Sequence, residues 1–395
     1  MLFRSNTAAG VRITGAGTDA NRVQMNYIGV AADGLTALPN ASHGVEILAT
    51  ANSSMIGDSG AGNVISANAG SGILIDGSDS TFVRSNRIGT NAAGLAALPN
   101  GAYGVLVQSG SGHTRIGGGA LGARNLISGH TLSGVAFISA GMHNFVSGNY
   151  IGTDASGSQA IGNASNPDVR SAGILIRDAG TSFVVVGTDS NASEDATEGN
   201  LISGNFQAGV LIEGTSNTAG GEVVAGNLIG LKAGGGAVLG NQGPGVLILN
   251  SGWNRIGSNG DGVRDNVEGN VIAGNSNPSA SSAAQYAPGV LVQDSTAGDG
   301  IQTRGNVIAG NAIGTDATGV KPLANQGHGV VVLSAFETQI GVPAAGNLIR
   351  YNGGAGVRIE GVAENGSQAS AVSTVSSNSF QANTGRSEEH TSELQ

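Results

Sequence analysis

The chain has 395 residues, of which 69 are glycine, 11% are charged and only 4% are aromatic. This composition excludes a broad core of large aromatic side chains, and the 39% hydrophobic content excludes a disordered chain. The absence of cysteine excludes disulfides, a thiol nucleophile and thiolate metal sites. A formal net charge of -10 disfavours nucleic acid and anionic membranes as partners, and no apolar run is long enough to span a bilayer.

The first recurring element is a fifteen-residue motif with Asn at both ends, Ile third, Gly fourth and ninth, and Leu or Ile thirteenth. Fixed internal spacing over a period of tens of residues is the signature of a stacked repeat protein. The motif therefore predicts a strand, a corner and a protruding loop. Its five copies begin at Asn26, Asn86, Asn149, Asn227 and Asn311.

A second motif, with the consensus Gly-Asn-x-Ile-Ser-Gly-Asn, alternates strictly with the first. Most copies of either motif are followed by Gly-Val or Gly-Ile and then x-Ile or x-Val. Such runs are too short for helices and have β-branched residues at period two, so they predict short strands. We expect coils with a long loop to alternate with tighter coils. The copies of the second motif span residues 62–68, 124–130, 199–205, 269–275 and 346–352.

Turns join the strands without helices or tight hairpins, which favours a parallel solenoid. Eleven Gly-Val or Gly-Ile landmarks predict about eleven coils and a rod roughly 50 Å long, at about 4.8 Å per coil. We expect Ile and Val to point inward and stack along the axis. The recurring asparagines are expected to bond to one another from coil to coil as a ladder.

The alternation of Asn-x-Ile-Gly-Thr-Asp-x-x-Gly with Gly-Asn-x-Ile-Ser-Gly-Asn and Gly-Val-x-Ile resembles the repeat of the pectin-lyase-like superfamily, over residues 5–385. The resemblance implies an all-β fold, a right-handed single-stranded parallel β-helix with alternating short and long turns. That superfamily includes polysaccharide lyases, hydrolases and epimerases, phage tailspikes and adhesins. The fold therefore leaves the function open.

The two ends of the sequence show no capping segment, and residues 386–395 depart from the repeat composition. We predict a single β-helix domain over residues 1–385, truncated at both ends. Residues 386–395 resemble a translated sequencing adapter and are expected to be a disordered, non-native tail. Uncapped coils are expected to favour end-to-end self-association.

Enzymes of this superfamily are expected, from the resemblance, to carry either an acidic calcium cluster with a basic residue or paired carboxylates with a Gly-His-Gly motif. Gly327-His328-Gly329 has the second form, but His43, Tyr103 and Pro244 occupy the same frame position in other coils. Acid–base catalysis needs partners within hydrogen-bond reach, and a histidine that only fills the frame has none. We predict no catalytic residue and no cofactor other than calcium.

Two polar loops with matching frames, residues 186–200 and 256–270, hold the strongest metal-site candidates. Oxygen ligands spaced through a glycine-containing loop suit Ca²⁺, which takes about six to eight oxygens. The pattern predicts a structural calcium that pins these turns, and its alternative is an ordinary solvated acidic surface. The candidate ligands are Asp189, Asn191, Asp195 and Glu198 in the first loop and Asn259, Asp261, Asp265 and Glu268 in the second.

Sugar-binding platforms use exposed aromatic rings, and Tyr27 and Tyr150 share a motif position that should face outward, without a continuous stripe. The long loops and the inserts at 164–172 and 276–287 are expected to project on one variable face. We therefore predict a non-catalytic bacterial protein, secreted or at the cell surface, with a structural, adhesive or carbohydrate-binding role. Its expected partner is a polysaccharide or a cell-surface glycan.

The alternative hypothesis is a polysaccharide-active enzyme, namely a lyase, hydrolase or epimerase that acts on an acidic polysaccharide. Such an enzyme needs carboxylates and arginines clustered on one face of the rod. Asp168, Arg170 and Arg177, near the first insert, come nearest to such a cluster in the sequence. Turnover of a polyuronide would decide between the two hypotheses.

Overall fold

The computed structural model of the chain is a stack of coils, and each coil contributes one strand to each of three long parallel sheets. Each strand pairs with its counterpart one coil away, as Tyr27 does with Val64 and Val64 does with Arg87. The predicted parallel β-helix of about eleven coils is therefore confirmed. The structure describes residues 1–191, 193–215, 221–278, 287–295, 303–361, 363–364, 367–368 and 372–384.

Sheet 1 is formed by the Asn-x-Ile segments of both motifs, and sheet 2 by the Gly-Val-x-Ile segments. The twelve described strands of sheet 1 are Leu2–Phe3, Tyr27–Ile28, Val64–Ile65, Arg87–Ile88, Leu126–Ile127, Tyr150–Ile151, Leu201–Ile202, Leu228–Ile229, Val271–Ile272, Ala312–Ile313, Leu348–Arg350 and Ser379–Gln381. The eleven described strands of sheet 2 are Val11–Thr14, Val45–Leu48, Ile73–Asp76, Val105–Gln108, Val135–Ile138, Ala172–Arg177, Ala208–Glu213, Val246–Leu249, Val290–Gln293, Val330–Leu333 and Val357–Glu360.

Sheet 3 has no counterpart in the sequence-based prediction, because its strands have only two or three residues and share only a single Val or Ile at the second position. Its eleven described strands are Arg22–Val23, Met55–Ile56, Phe82–Val83, Arg115–Gly117, Phe145–Ser147, Val185–Gly187, Val223–Ala225, Arg255–Gly257, Val307–Ala309, Gln339–Ile340 and Thr374–Val375. In every coil the chain passes from sheet 2 to sheet 3 and then to sheet 1.

The remaining regular elements of the described chain are small. Two single helical turns, α1 at Asp195–Glu198 and α2 at Asp265–Glu268, lie in the two polar loops. Gly141–Met142 pairs in parallel with Thr181–Ser182 at a corner, and Ala363–Glu364 pairs antiparallel with Ser367–Gln368. None of the helices in the described part of the chain has the length and apolar character of a membrane span.

The core is a single aliphatic column that runs through the coils. Ile28, Ile65, Ile88 and Ile151 on sheet 1 are fully buried, and they pack with the inward Val and Ile residues of the other two sheets. This confirms the predicted inward direction of the recurring aliphatic residues. No single coil could bury so much apolar surface by itself, so the coils stabilise one another.

The first asparagines of the two motifs form a continuous buried ladder. Each side-chain amide donates to the amide oxygen of the next asparagine over 2.8 to 3.1 Å. The same oxygen usually accepts a backbone N–H as well, as Asn63 does from Asn26. The ladder satisfies polar groups that no water reaches. Its members are Asn26, Asn63, Asn86, Asn125, Asn149, Asn200, Asn227, Asn270, Asn311, Asn347 and Asn378.

A second ladder runs through the last asparagines of the motifs and includes one histidine. Its bonds span 2.7 to 3.1 Å. Its members are Asn6, Asn40, Asn68, Asn100, His130, Asn163, Asn205, Asn241, Asn275, Asn325, Asn352 and Asn383.

Two rows of loops decorate the rod, where one was predicted. Row 1 contains the loops of the fifteen-residue motif, between sheets 1 and 2, at residues 29–40, 89–100, 152–163, 230–241 and 314–325. Row 2 lies between sheets 3 and 1 on the intervening coils, at residues 57–63, 118–125, 188–200, 258–270 and 341–347. The predicted alternation of long and short turns holds between sheets 1 and 2, and the intervening coils carry their longer loops at the corner between sheets 3 and 1 instead.

Row 1 loops bond directly to one another although one coil separates them. The backbone N–H of Ala92 donates to Gly34 O at 2.9 Å, and that of Ala155 donates to Gly94 O at 2.8 Å. Gly94, the ninth residue of its motif copy, shows two reasons why this position is glycine. Its φ is +73°, and a Cβ there would lie 2.7 Å from a Leu126 methyl carbon and 2.8 Å from the Ala155 Cβ.

Candidate functional site

The outer face of sheet 1 is the floor of a groove, because row 2 loops enter its strands and row 1 loops leave them. Tyr27 and Tyr150 face outward here as predicted, and both are half-buried. Row 1 loops lean over this floor, so that a Cβ on Gly157 would lie 2.8 Å from Leu201 and 3.0 Å from the Tyr150 ring. The groove follows the long axis of the rod.

One part of the rod carries an excess of positive charge. Residues 80–153 contain the four arginines Arg84, Arg87, Arg115 and Arg124 and no Asp or Glu, although the whole chain has a net charge of -10. Clustered guanidinium groups without nearby carboxylates raise the local potential and attract anions. This band covers the third to fifth coils of the stack.

A cleft of about 160 Å³ opens in the groove within this band. The Arg124 guanidinium carbon lies 4.0 Å from the centre of the Tyr150 ring, and Arg124 Nε donates to Gly148 O at 3.3 Å. Neither Arg87 nor Arg124 forms an ion pair with a carboxylate in the described chain. The cleft is lined by Ser85, Asn86, Arg87, Arg124, Leu126, Tyr150 and Ala155.

This arrangement can bind a carboxylate and move a proton. A planar guanidinium binds a carboxylate through two parallel hydrogen bonds, and neither arginine is engaged by a carboxylate of the described chain. The phenol of Tyr150 can donate or accept a proton, whereas an arginine cannot lose one. Arg87 and Arg124 were not among the candidates from the sequence, because neither arginine recurs at its position in the other copies of its motif. The signal that could have found them is the run of 74 residues without a carboxylate.

The cluster suggested by the sequence, Asp168, Arg170 and Arg177, is brought together only in part. Both arginines bind Glu213, and Arg177 Nε donates to its Oε2 at 2.7 Å. Asp168 is exposed, and its backbone N–H donates to Asn166 Oδ1 at 3.0 Å. Because Glu213 offsets one of the two positive charges and contacts both guanidinium groups, this pair is a weaker anion site than the sheet 1 cleft.

The first insert closes the outer face of sheet 2 at this point. Gln207 Nε2 donates to the carbonyl oxygens of Asn166 at 2.8 Å and Val169 at 2.9 Å, which holds residues 164–172 against the sheet. Leu175 and Leu211 point outward from sheet 2 and are nevertheless buried. The insert therefore covers the outer face of sheet 2 near the strands Ala172–Arg177 and Ala208–Glu213. Residues 279–286 of the second insert and the whole of the predicted tail at 386–395 lie outside the described residues.

In the first polar loop, three of the four predicted ligands converge. Oxygen atoms of Asp189, Asp195 and Glu198 all lie within 4.8 Å of one another. Asp195 and Glu198 are buried, and Asp189 is half-buried. Burial raises the pKa of Glu198, and the charge of Asp189 adds to that rise. Asn191 does not join them, because its side-chain amide donates to Asp189 Oδ2 at 2.9 Å from the exposed side.

The second polar loop does not repeat this cluster. Asn259 and Asp261 bond to each other at the exposed tip, over 2.9 Å. Asp265 accepts from Ser258 Oγ at 2.6 Å, and Glu268 lies 3.4 Å from the Arg255 guanidinium. The two loops, predicted with matching sets of four ligands, therefore differ in geometry, and calcium binding at either loop stays a prediction. Sequence alignment matched the residue types, but the neighbours of each loop differ.

The histidine of the Gly-His-Gly sequence, His328, makes the same backbone contact as His43, which occupies its frame position in an earlier coil. His328 Nδ1 accepts the backbone N–H of Ala355 at 2.8 Å, and His43 Nδ1 accepts that of Ser71 at 2.9 Å. Burial lowers the pKa of both histidines. Each histidine therefore links two adjacent coils through a hydrogen bond to the backbone.

Comparison with solved structures places the fold among right-handed parallel β-helix proteins. A double mutant of the periplasmic alginate epimerase AlgG shares 12% identity at a TM-score of 0.40, with 85% of this chain and 51% of that chain covered. Alginate lyase from Paenibacillus sp. str. FPU-7 shares 13% identity at a TM-score of 0.31, with 89% of this chain and 98% of that chain covered. PfbA, a surface adhesin of Streptococcus pneumoniae, shares 10% identity at a TM-score of 0.31, with 96% of this chain and 80% of that chain covered.

The chain spans about half of the AlgG structure that it matches. No family model and no curated protein matches the chain. Alginate epimerases and a lyase predominate among the similar structures, beside one adhesin. The expectation of a non-catalytic structural or adhesive protein is therefore wrong, since this comparison favours its alternative. At these identities and TM-scores the resemblance concerns the fold alone, so a function must be argued from the chain's own residues.

Proposed function

We propose that the chain is part of an enzyme that acts on an acidic polysaccharide, and that the sheet 1 cleft is its site. The observation that carries the proposal is that Arg87 and Arg124, which form no ion pair with a described carboxylate, line one cleft together with Tyr150. Residues 80–153, which form this part of the groove, contain no Asp or Glu. An anionic polymer lying along the rod would place one of its carboxylates between these arginines. A groove parallel to the axis suits a linear chain better than a compact ligand.

The residues of the cleft favour lyase or epimerase chemistry over hydrolysis. Glycoside hydrolysis generally uses two carboxylic groups flanking the scissile bond, and no carboxylate lines the described cleft. A uronate can instead lose the proton on C5, next to its carboxylate, once a cation neutralises that carboxylate. In elimination the electron pair forms the C4–C5 double bond as the C4–O bond breaks, and the leaving oxygen takes up the proton that was removed from C5. In epimerisation C5 instead takes a proton from water on the other face of the ring.

In this scheme Arg87 and Arg124 bind the uronate carboxylate and stabilise the charge that develops on it. Tyr150 transfers the proton, because the other hydroxyl of the cleft, Ser85 Oγ, donates to Gly122 O. Arg124 is held over the Tyr150 ring, so one residue positions both the substrate and the proton-transferring group. An acidic polysaccharide substrate agrees with an extracellular or periplasmic location.

Incubation with alginate, pectate and other polyuronides tests the proposal directly. Ultraviolet absorbance detects the unsaturated product of elimination, and NMR in D₂O detects deuterium at C5 after epimerisation. Arg87→Ala, Arg124→Ala and Tyr150→Phe should each lower turnover by about 100-fold or more, the usual effect of removing a charge-stabilising or proton-transferring group.

Two matched variants serve as controls. Arg115 also stacks on an aromatic ring, Phe145 at 4.2 Å, but on sheet 3. Tyr27 occupies the same motif position as Tyr150, four strands away on sheet 1. Arg115→Ala and Tyr27→Phe should keep turnover within about twofold. Absence of both products with every polyuronide, or equal losses in the control variants, would refute the proposal.

A further inference from the structure

The acidic cluster in the first polar loop has an unbalanced charge. Asp189, Asp195 and Glu198 contribute three carboxylates, and their described cationic partner is Arg264, which binds Asp195 Oδ2 at 2.5 Å. The formal charge of these four groups at neutral pH is therefore -2 when Glu198 is ionised. Buried charge without compensation is costly, so such a cluster needs a proton or a cation.

A second observation points to a bound ion. Asp195 Oδ1 is buried and has no hydrogen-bond partner in the described structure, and the Asp195 side chain is only 1% exposed. A buried carboxylate oxygen without a donor is rare, because it loses its hydration without any compensation. A cation among the three carboxylates would be its partner.

In the second polar loop an arginine compensates the charge of the buried glutamate, so no ion is needed there. Glu268 lies 3.4 Å from the guanidinium of Arg255, which stands at the start of the sheet 3 strand before the loop. The residue at that frame position in the first loop is Val185, since Val185 pairs with Val223 and Val223 with Arg255. Glu198 therefore lacks the guanidinium that its counterpart has.

We infer that Asp189, Asp195 and Glu198 bind one Ca²⁺ ion, and that Arg255 replaces this ion in the second loop. The charge balances, because a divalent cation offsets the formal -2 of the cluster. The spacing also fits: two oxygens bound at about 2.3 to 2.6 Å from one Ca²⁺ can lie up to about 5 Å apart, and the three oxygens lie within 4.8 Å. Mg²⁺ demands a near-ideal octahedral geometry and gives up its waters reluctantly, so three carboxylates from one protein loop suit Ca²⁺ better.

The site would stabilise more than its own loop. Thr197 Oγ1, in the same loop, donates to Gly119 O of the preceding row 2 loop at 2.9 Å, and Ser190 Oγ donates to Glu268 Oε1 of the following one at 2.7 Å. The ion would therefore stabilise three neighbouring loops at the centre of row 2. This inference does not depend on the proposed enzyme function, because it concerns stability and binding and not turnover.

The test measures the thermal midpoint and the binding heat of the whole chain with CaCl₂ and with EDTA. We expect Ca²⁺ to raise the midpoint and to bind with a stoichiometry of one, while equimolar MgCl₂ gives a smaller shift. Glu198→Gln should abolish the Ca²⁺-dependent shift. Glu268→Gln, the matched change in the second loop, should lower the midpoint and leave the Ca²⁺-dependent shift intact.

Val185→Arg provides a second test that does not rely on losing a ligand. It places a guanidinium where the second loop has Arg255, so it should raise the midpoint in EDTA and remove the response to Ca²⁺. No Ca²⁺-dependent shift and no binding heat in the unmodified chain would overturn the inference. An unchanged Ca²⁺ response in both Glu198→Gln and Val185→Arg would overturn the assignment of the site.

Discussion

His130 replaces asparagine in the second ladder, and it makes the rod sensitive to acid. The Nε2 of the imidazole accepts from the Asn100 amide at 3.1 Å, and its Nδ1 donates to Asn163 Oδ1 at 2.8 Å. A proton on Nε2 would point at the N–H₂ group of Asn100, so only the neutral ring fits. The side chain is fully buried, which further disfavours the charged form.

The size of the effect follows from the pKa. Burial lowers the pKa of His130 from 6.5 to about 4, against a smaller raising effect of the bond to Asn163. Between these pH values the unfolded chain binds a proton that the folded chain does not. The free energy of unfolding therefore falls as the pH drops from about 6.5 to about 4. At about 1.4 kcal/mol per pKa unit, the loss reaches about 3 kcal/mol.

His130→Asn should restore the ladder and remove this loss. Urea denaturation followed by circular dichroism, at pH values from about 7 to about 4, gives the free energy of unfolding of both proteins. The advantage of His130→Asn should grow by about 3 kcal/mol across this range. His113→Asn, at an exposed histidine, should show the pH dependence of the unmodified chain. Parallel pH curves for His130→Asn and the unmodified chain would show that His130 is not held neutral.

Burial raises the pKa of Glu222 to about 8 from 4.5, so its protonated form stabilises the fold below pH 4.5 and that stability is lost as the pH rises through about 8. In urea denaturation the free energy of unfolding of Glu222→Gln should exceed that of the unmodified chain by about 5 kcal/mol at high pH and match it at low pH; equal values at high pH would refute this. Ile151→Asp places an unpaired charge in the core and should unfold the rod by circular dichroism, whereas Leu95→Asp on an exposed loop should not. Gly89→Ala should lower the melting midpoint, because its Cβ would lie 2.2 Å from Ser128 O; Gly77→Ala, with its nearest atom at 4.0 Å, measures the cost of positive φ alone. Equal losses in these two glycine variants would count against the steric argument.

The repeat made the coil predictable. Because Ile and Val recur two residues apart in strands too short for helices, the sequence alone indicated which residues point inward, and Ile151 is fully buried. Asparagines at fixed positions indicated a ladder, since identical side chains in successive coils meet at the spacing of a sheet. Sheet 3 was not predicted because strands such as Met55–Ile56 and Gln339–Ile340 are only two residues long, and a single shared Ile gives no period-two pattern.

The cleft could not be read from the motifs. Arg87, Arg124 and Tyr150 are separated by up to 63 residues, and they meet because their strands or loops lie on three successive coils. Only the absence of carboxylates over residues 80–153 hinted at an anion site there.

What the sequence determined by itself is the repeating interior, where each position has the same neighbours in every coil. The tertiary structure alone decided which outward groups acquire partners. Glu198 and Glu268 have the same frame position in two aligned loops, yet Arg255 lies beside Glu268, while Val185 takes that frame position before the loop of Glu198. The physical reason is that a charged group responds to whatever lies within a few ångströms of it, and across a coiled chain those neighbours come from distant residues.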